Sequence, residues 1–149
     1  MTMAKPEYVY VTYISSTREK IWKAITDPET TPRYWQHANV SDWKPGSRWE
    51  HRENGKDGKP LIVGKVVEFS PPRRLVFTWA DPADEHNEEK YSRVTFELEE
   101  VRGVVRLTVV HDNLEPGSKM LKGISDGWPK VLSSMKTFLE SGKPLPRLW

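Results

Sequence analysis

The feature that most constrains this chain is a change of hydrophobic period at Glu115-Pro116-Gly117. Upstream, apolar and polar residues alternate: between Arg93 and Glu99, Val94, Phe96 and Leu98 share one face, while Arg93, Thr95, Glu97 and Glu99 share the other. That is the period of a half-buried strand. Downstream, Trp128, Val131, Leu132, Met135 and Leu139 recur every three to four residues, the stripe of one long amphipathic helix. Gly142 is its expected end, and Pro129 is expected in its first turn or at a kink. A sheet that is wet on one side must cover its other face, and this helix is the element long enough to do so.

The remaining elements follow from local signals. Tyr8 to Ile14 is β-branched and aromatic and reads as a strand. Ser16-Thr17-Arg18-Glu19 has the spacing of a capping box, which opens a helix with Ile21, Trp22 and Ile25 on one face, stopped at Asp27-Pro28. Thr31 is placed as the cap of a second short helix around Pro32 to Trp35. Strands then read at Val40 to Trp43, Arg48 to Glu53, Leu61 to Phe69, Arg73 to Ala80, Arg93 to Glu99 and Val104 to His111. Between them stand turn residues at Lys44-Pro45-Gly46, Asn54 to Gly58, Pro71-Pro72 and Arg102-Gly103. Tight turns imply antiparallel neighbours, so the expected class is α+β: one domain over residues 1–149, with a core over 8–142 and a tail over 143–149. Leu148 and Trp149 in that tail are expected to pack onto the body or a partner.

Composition removes several function classes. A chain of 149 residues buries roughly 68 to 70% of its unfolded surface, enough for a core without staples. It has no cysteine, which removes disulfides, thiolate nucleophiles, zinc-thiolate sites and iron-sulfur clusters, and makes the cytoplasm the expected compartment. The first residues lack the pattern of a secretory signal, and no apolar run approaches the ~20 residues of a bilayer span, so no membrane insertion is expected. The 23 basic and 21 acidic residues are interspersed and leave a net charge of +2, so no nucleic-acid partner is expected. There is no G-x-G-x-x-G or Walker motif, so nucleotide binding has no local support and no cofactor is expected. The acidic run Asp81 to Glu89 reads as a solvated loop in preference to a metal site, and the four histidines show no metal-ligand spacing.

The chemistry-bearing residues gather on the inward face. Strand parity puts His111 with Val109, Leu107 and Val105, and puts Asp112 with Val110, Thr108 and Arg106 on the opposite face. The adjacent His-Asp pair is therefore no catalytic dyad, and His111 is expected at the rim of a pocket as a neutral polar handle. Parity likewise sets His51 beside Trp49. Of the seven tryptophans, Trp35, Trp49, Trp79 and Trp128 are expected to converge with Phe77, Phe96, Val109, Leu132 and Met135 around an apolar chamber between sheet and helix.

The fragments ISSTREKIWKAITDPETTPRYW, PGSRWE, VVEFSPPRRLVFTW, YSRVTFELEE, LTVVHDNL and GWPKVLSSMKTFLESG, taken in order and spacing, resemble a known family. These are the bacterial proteins similar to the C-terminal domain of the heat-shock-protein-90 ATPase activator. They sit in the SRPBCC superfamily with START lipid-transfer domains, the birch pollen allergen and polyketide cyclases. The resemblance implies the helix-grip (START-like) fold, a seven-stranded antiparallel sheet wrapped around a long C-terminal helix with two short helices and a cavity between. Ser47 and Asn113 stand where many relatives have glycine, and asparagine is the non-glycine residue that best tolerates a left-handed backbone. The eukaryotic co-chaperone carries an additional N-terminal domain that has no counterpart in these residues.

Three functions are therefore expected in turn. The first is a binding module for a small apolar or aromatic ligand, without catalysis. The second is a polyketide cyclase or aromatase-like enzyme with His111 as its general base. The third is a co-chaperone-like interaction module. The partners expected are the small ligand and, in one alternative, a second copy of the chain in a homodimer.

Overall fold

A computed structural model describes residues 4–149; residues 1–3, the start of the expected single domain, lie outside it. The chain forms β1 (Tyr8–Ile14), α1 (Arg18–Thr26), α2 (Pro32–Trp35), β2 (Ala38–Ser41), β3 (Arg48–Arg52), β4 (Pro60–Ser70), β5 (Arg74–Trp79), β6 (Ser92–Val101), β7 (Val104–Asp112) and α3 (Lys119–Ser141). Two single turns of 3-10 helix, Pro82–Asp84 and Glu88–Lys90, shape the acidic loop before β6. The seven strands make one antiparallel sheet in the order β1-β7-β6-β5-β4-β3-β2.

Alternation decides which side of the sheet is core. In β7, Val105, Leu107, Val109 and His111 are buried while Arg106, Thr108, Val110 and Asp112 keep contact with solvent. The buried set faces Ile124, Trp128, Val131, Leu132 and Met135 of α3, so helix and sheet cover one another. Each fully buried large side chain in this layer contributes about 1.5 to 3 kcal/mol. The β6–β7 hairpin turns on Arg102 (φ 50) and Gly103 (φ 86), the left-handed pair that a two-residue turn of this twist requires. Asn113 takes φ 59 at the exit of β7, and its amide donates to the Tyr91 carbonyl.

Three local expectations are corrected or narrowed. The cap of α1 is Thr17, whose hydroxyl accepts from Lys20 N at 3.2 Å, one residue beyond the Ser16 that would start a capping box with Glu19. Thr31 is already helical (φ −54, ψ −42) and does not cap α2. Its hydroxyl instead donates to the Ala24 carbonyl at 2.7 Å, tying α2 to the end of α1, where orphan carbonyls need donors. Of the two places expected for Pro129, the first turn is excluded, because α3 starts at Lys119 with Ser118 capping Leu121 N at 3.1 Å and the proline lies in mid-helix. The first turns of α3 carry Gly123, Ser125, Asp126 and Gly127, which dilute the apolar stripe and hide the true start from a periodicity reading.

The tail is ordered against the body. Leu145 N donates to Ser134 Oγ at 3.3 Å, Arg147 reaches Gln36 Oε1 at 3.0 Å, and Trp149 Nε1 donates to the Trp35 carbonyl at 3.1 Å. Trp149 packs on the core while Leu148 remains about half exposed.

Candidate functional site

Two of the larger hollows, of about 540 and 800 Å³, lie where charged side chains line the outer face of the sheet. Arg74 pairs with Glu97 and Arg106 with Glu99 in one, and Arg93 pairs with Asp112 at 2.8 Å in the other. These are solvated ion-pair furrows.

A cavity of about 230 Å³ opens between the sheet and the first half of α3. Its walls are Trp35 from α2, His37, His51 from β3, Leu61 and Ile62 from β4, Trp79 from β5, Gly123, Ile124, Gly127, Trp128 and Val131 from α3, and Trp149. The volume sits just under the usual range for ligand pockets, and it exceeds the roughly 150 Å³ of engineered apolar cavities that accept benzene. Two glycines of α3 are part of its lining. A Cβ built on Gly123 or Gly127 meets no atom within 4 Å, so the helix surface is bare where the cavity begins.

The aromatic wall is a continuous set of contacts. Trp128 lies 5.7 Å from Trp35 and 5.6 Å from Trp79, ring centre to ring centre, and His51 lies 4.4 Å from Trp35 and 6.1 Å from Trp79. Of the residues expected in the site, Trp35, His51, Trp79 and Trp128 line the cavity. Trp49, Phe77, Phe96, Val109, His111, Leu132 and Met135 do not line it; all are buried in filled core. Trp49 shows why. Its indole donates to the Thr78 carbonyl at 2.7 Å and its ring meets Phe77 edge-on at 4.5 Å, so those rings interlock and leave no space.

His111 is not at a rim. It is fully buried, and both ring nitrogens are engaged. The Trp128 indole can only donate, so its 3.1 Å bond to His111 Nδ1 places the imidazole proton on Nε2. Nε2–H then donates to Ser92 Oγ at 2.7 Å, and Ser92 donates to the Trp79 carbonyl at 3.1 Å. Burial pushes the His111 pKa down to about 4 against a weaker opposing pull from Asp112. The side chain is a neutral strut that fixes Trp128 in the cavity wall. It has no free lone pair with which to act as a base.

His51 is held differently. Asn39 donates through Nδ2 to the Ile25 carbonyl at 2.9 Å, so its Oδ1 accepts from His51 Nδ1 at 2.8 Å. That leaves the lone pair of the neutral ring on Nε2. No buried side-chain nitrogen or oxygen among the described residues is both sealed from solvent space and without a partner. His51 is 4% exposed and lines the cavity, so its unpartnered Nε2 looks into that space. Burial, then the neighbouring His37, push its pKa down to about 3. His37 meets His51 edge-on at 5.2 Å, and its Nδ1 accepts from Asn54 N at 3.3 Å. Burial and Arg147 lower the pKa of His37, with Glu53 opposing. Among the described residues no group of three or more histidines or carboxylates could hold a metal ion.

Sequence reasoning missed His37, Leu61, Ile62, Gly123, Ile124, Gly127, Val131 and Trp149 as lining. The available signal was Gly123 and Gly127, four apart in an amphipathic helix, which mark a bare strip on its surface.

A seven-stranded antiparallel sheet gripping a long C-terminal helix, with a cavity between them, defines the helix-grip class. The chain belongs to the family described as Activator of Hsp90 ATPase homolog 1-like protein, whose model matches residues 15–140, and with it to the SRPBCC superfamily. The fold is shared with an Aha1 dimer from Colwellia psychrerythraea, at 21% identity and TM-score 0.75, covering 93% of this chain and 98% of that one. An HSP90 activator from Plasmodium falciparum matches at 22% identity and TM-score 0.73, covering 89% of this chain and 95% of that one. CalU16 from Micromonospora echinospora matches at 20% identity and TM-score 0.73, covering 93% and 78%. No curated protein matches the chain in sequence. No helix among the described residues is long and apolar enough to cross a membrane.

Proposed function

We propose that this protein is a binding module that holds a small apolar or aromatic ligand between the sheet and α3. The observation that carries this reading is the tryptophan-walled cavity of about 230 Å³, with Gly123 and Gly127 in its lining. Its size suits a single ring with small substituents. A sterol, a long acyl chain or a fused polycyclic would need more room than these walls leave. The binding reading is preferred to a cyclase-like one because the nitrogens of His111 are both spent on structure. Titration of single-ring aromatics against intrinsic tryptophan fluorescence tests the reading. A saturable response is expected from the wild type and none from Gly127→Leu, whose side chain would fill the opening.

A second reading rests on Val9, Val11 and Tyr13, which stand about half exposed on the outer face of edge strand β1. That stripe supports a protein-contact face, either for a second copy of this chain or for a chaperone partner. Sedimentation of the wild type beside Val11→Asp tests the first form, and addition to a heat-shock ATPase with turnover as readout tests the second.

A further inference from the structure

The cavity carries a chemical instruction beyond apolarity, and the inference drawn from it rests on the binding reading above. Its walls are nearly all carbon, yet His51 lines the space and its Nε2 has no hydrogen-bond partner. The network behind it fixes what that atom is. Ile25 O takes the Asn39 amide, Asn39 Oδ1 takes the proton on His51 Nδ1, and Nε2 is left as an acceptor. The ring cannot turn over without breaking its bond to Asn39, whose own orientation the Ile25 carbonyl fixes. Beside it, His37 spends Nδ1 accepting from Asn54 N, so in its neutral form its own Nε2 carries the proton.

Such a site discriminates by hydrogen-bond polarity. A ligand carbonyl, ether or carboxylate would set oxygen lone pairs against the Nε2 lone pair, and no cationic side chain lines the cavity to hold an anion. An ammonium would have to leave water for a chamber without a carboxylate among its lining residues. A hydroxyl group satisfies the acceptor, and its oxygen remains free for a donor such as His37 Nε2–H. The rigid rings of Trp35, Trp79 and Trp128 around His51 suit an aromatic plane, and the volume admits one ring.

We propose that the cavity selects single-ring aromatic compounds bearing a free hydroxyl, phenols or benzylic alcohols, with the hydroxyl donating to His51 Nε2. Low basicity in the buried imidazole is consistent with this, since the ring stays neutral and accepting across the physiological range.

The test compares phenol with toluene, anisole, benzoate and benzylamine against the wild-type protein by calorimetry, with imidazole nitrogens followed by NMR. Phenol is expected to bind about tenfold more tightly than toluene or anisole, the worth of one hydrogen bond to an otherwise unpaired acceptor. The His51 Nε2 resonance is expected to move with phenol and to stay still with toluene. In His51→Leu the phenol preference should fall to within about twofold while toluene binding persists. If that variant does not fold, the wild-type series and the nitrogen resonance decide alone. Equal binding of phenol and toluene would overturn the hydroxyl selection and leave the apolar module standing. Tighter binding of benzoate or benzylamine would overturn it in favour of an ionic ligand, and no binding by any of the five would remove both.

Discussion

Replacing Gly123 and Gly127 together by alanine should make the protein more stable and its cavity poorer. Both positions lie within α3, where glycine costs about 0.8 to 1 kcal/mol relative to alanine because it must surrender more backbone freedom. That gain is realised only if the new methyl group fits, and a Cβ at either site meets nothing within 4 Å. Neither residue has a positive φ, so alanine adopts the backbone without strain. The pair should therefore add about 2 kcal/mol, which in a domain of this size raises Tm by roughly 4 to 8 °C. Calorimetry and urea unfolding measure the gain. Because both glycines line the cavity, affinity for a single-ring aromatic should fall in the same variant. A loss of stability would refute the claim that this helix surface is bare. A gain in stability with undiminished ligand affinity would refute the claim that the bare surface is the site.

Gly64→Ala should act in the opposite direction. A Cβ there would stand 2.0 Å from the Thr78 carbonyl and 2.5 Å from Trp49 Nε1, so β4 must move or the Trp49 bond to Thr78 must break; a loss of about 3 kcal/mol or more is expected in urea unfolding. Acid should weaken the fold early. His51 and His111 have folded pKa values of about 3 and 4, below the unfolded value near 6.5, so between these limits the unfolded chain binds more protons. Their stabilising effect is complete above about pH 6.5 and is lost as pH falls; from pH 7 to pH 5 each contributes a loss of about 2 kcal/mol. Unfolding free energies that stay level over that interval would contradict the burial assigned to both rings. Thr31→Val should cost about 1 kcal/mol by thermal unfolding, because the Ala24 carbonyl loses the hydroxyl at 2.7 Å but keeps the Tyr34 phenol at 2.9 Å.

The parts of the fold that were legible in the sequence were those written as periodicity. Val94, Phe96 and Leu98 gave β6 its inner face, and the parity of Val105, Leu107 and Val109 placed His111 inward and Asp112 outward, where Asp112 pairs with Arg93. The site was only partly legible, because a cavity is a property of what is missing. Trp49, Phe77 and Phe96 have the composition of a pocket wall, yet their rings interlock; Trp35, Trp79 and Trp128 have the same composition and stand beside open space. Gly123 and Gly127 on the facing helix line that space. His37 and Trp149 come to the mouth from the segment after α2 and from the tail, which no local pattern connects. The roles of His51 and His111 were set by partners distant in sequence: Asn39 for one, Ser92 and Trp128 for the other. Strand parity could place both rings inside, but it could not say which nitrogen stayed free.

Whether a small aromatic ring occupies the space between the sheet and α3 is tested most directly by a crystal of the protein soaked in bromobenzene. One anomalous bromine peak is expected among Trp35, Trp79 and Trp128, lost in Gly127→Leu. Bromine found only in the outer-face furrows, or no ordered bromine in crystals that diffract well, would contradict that occupancy.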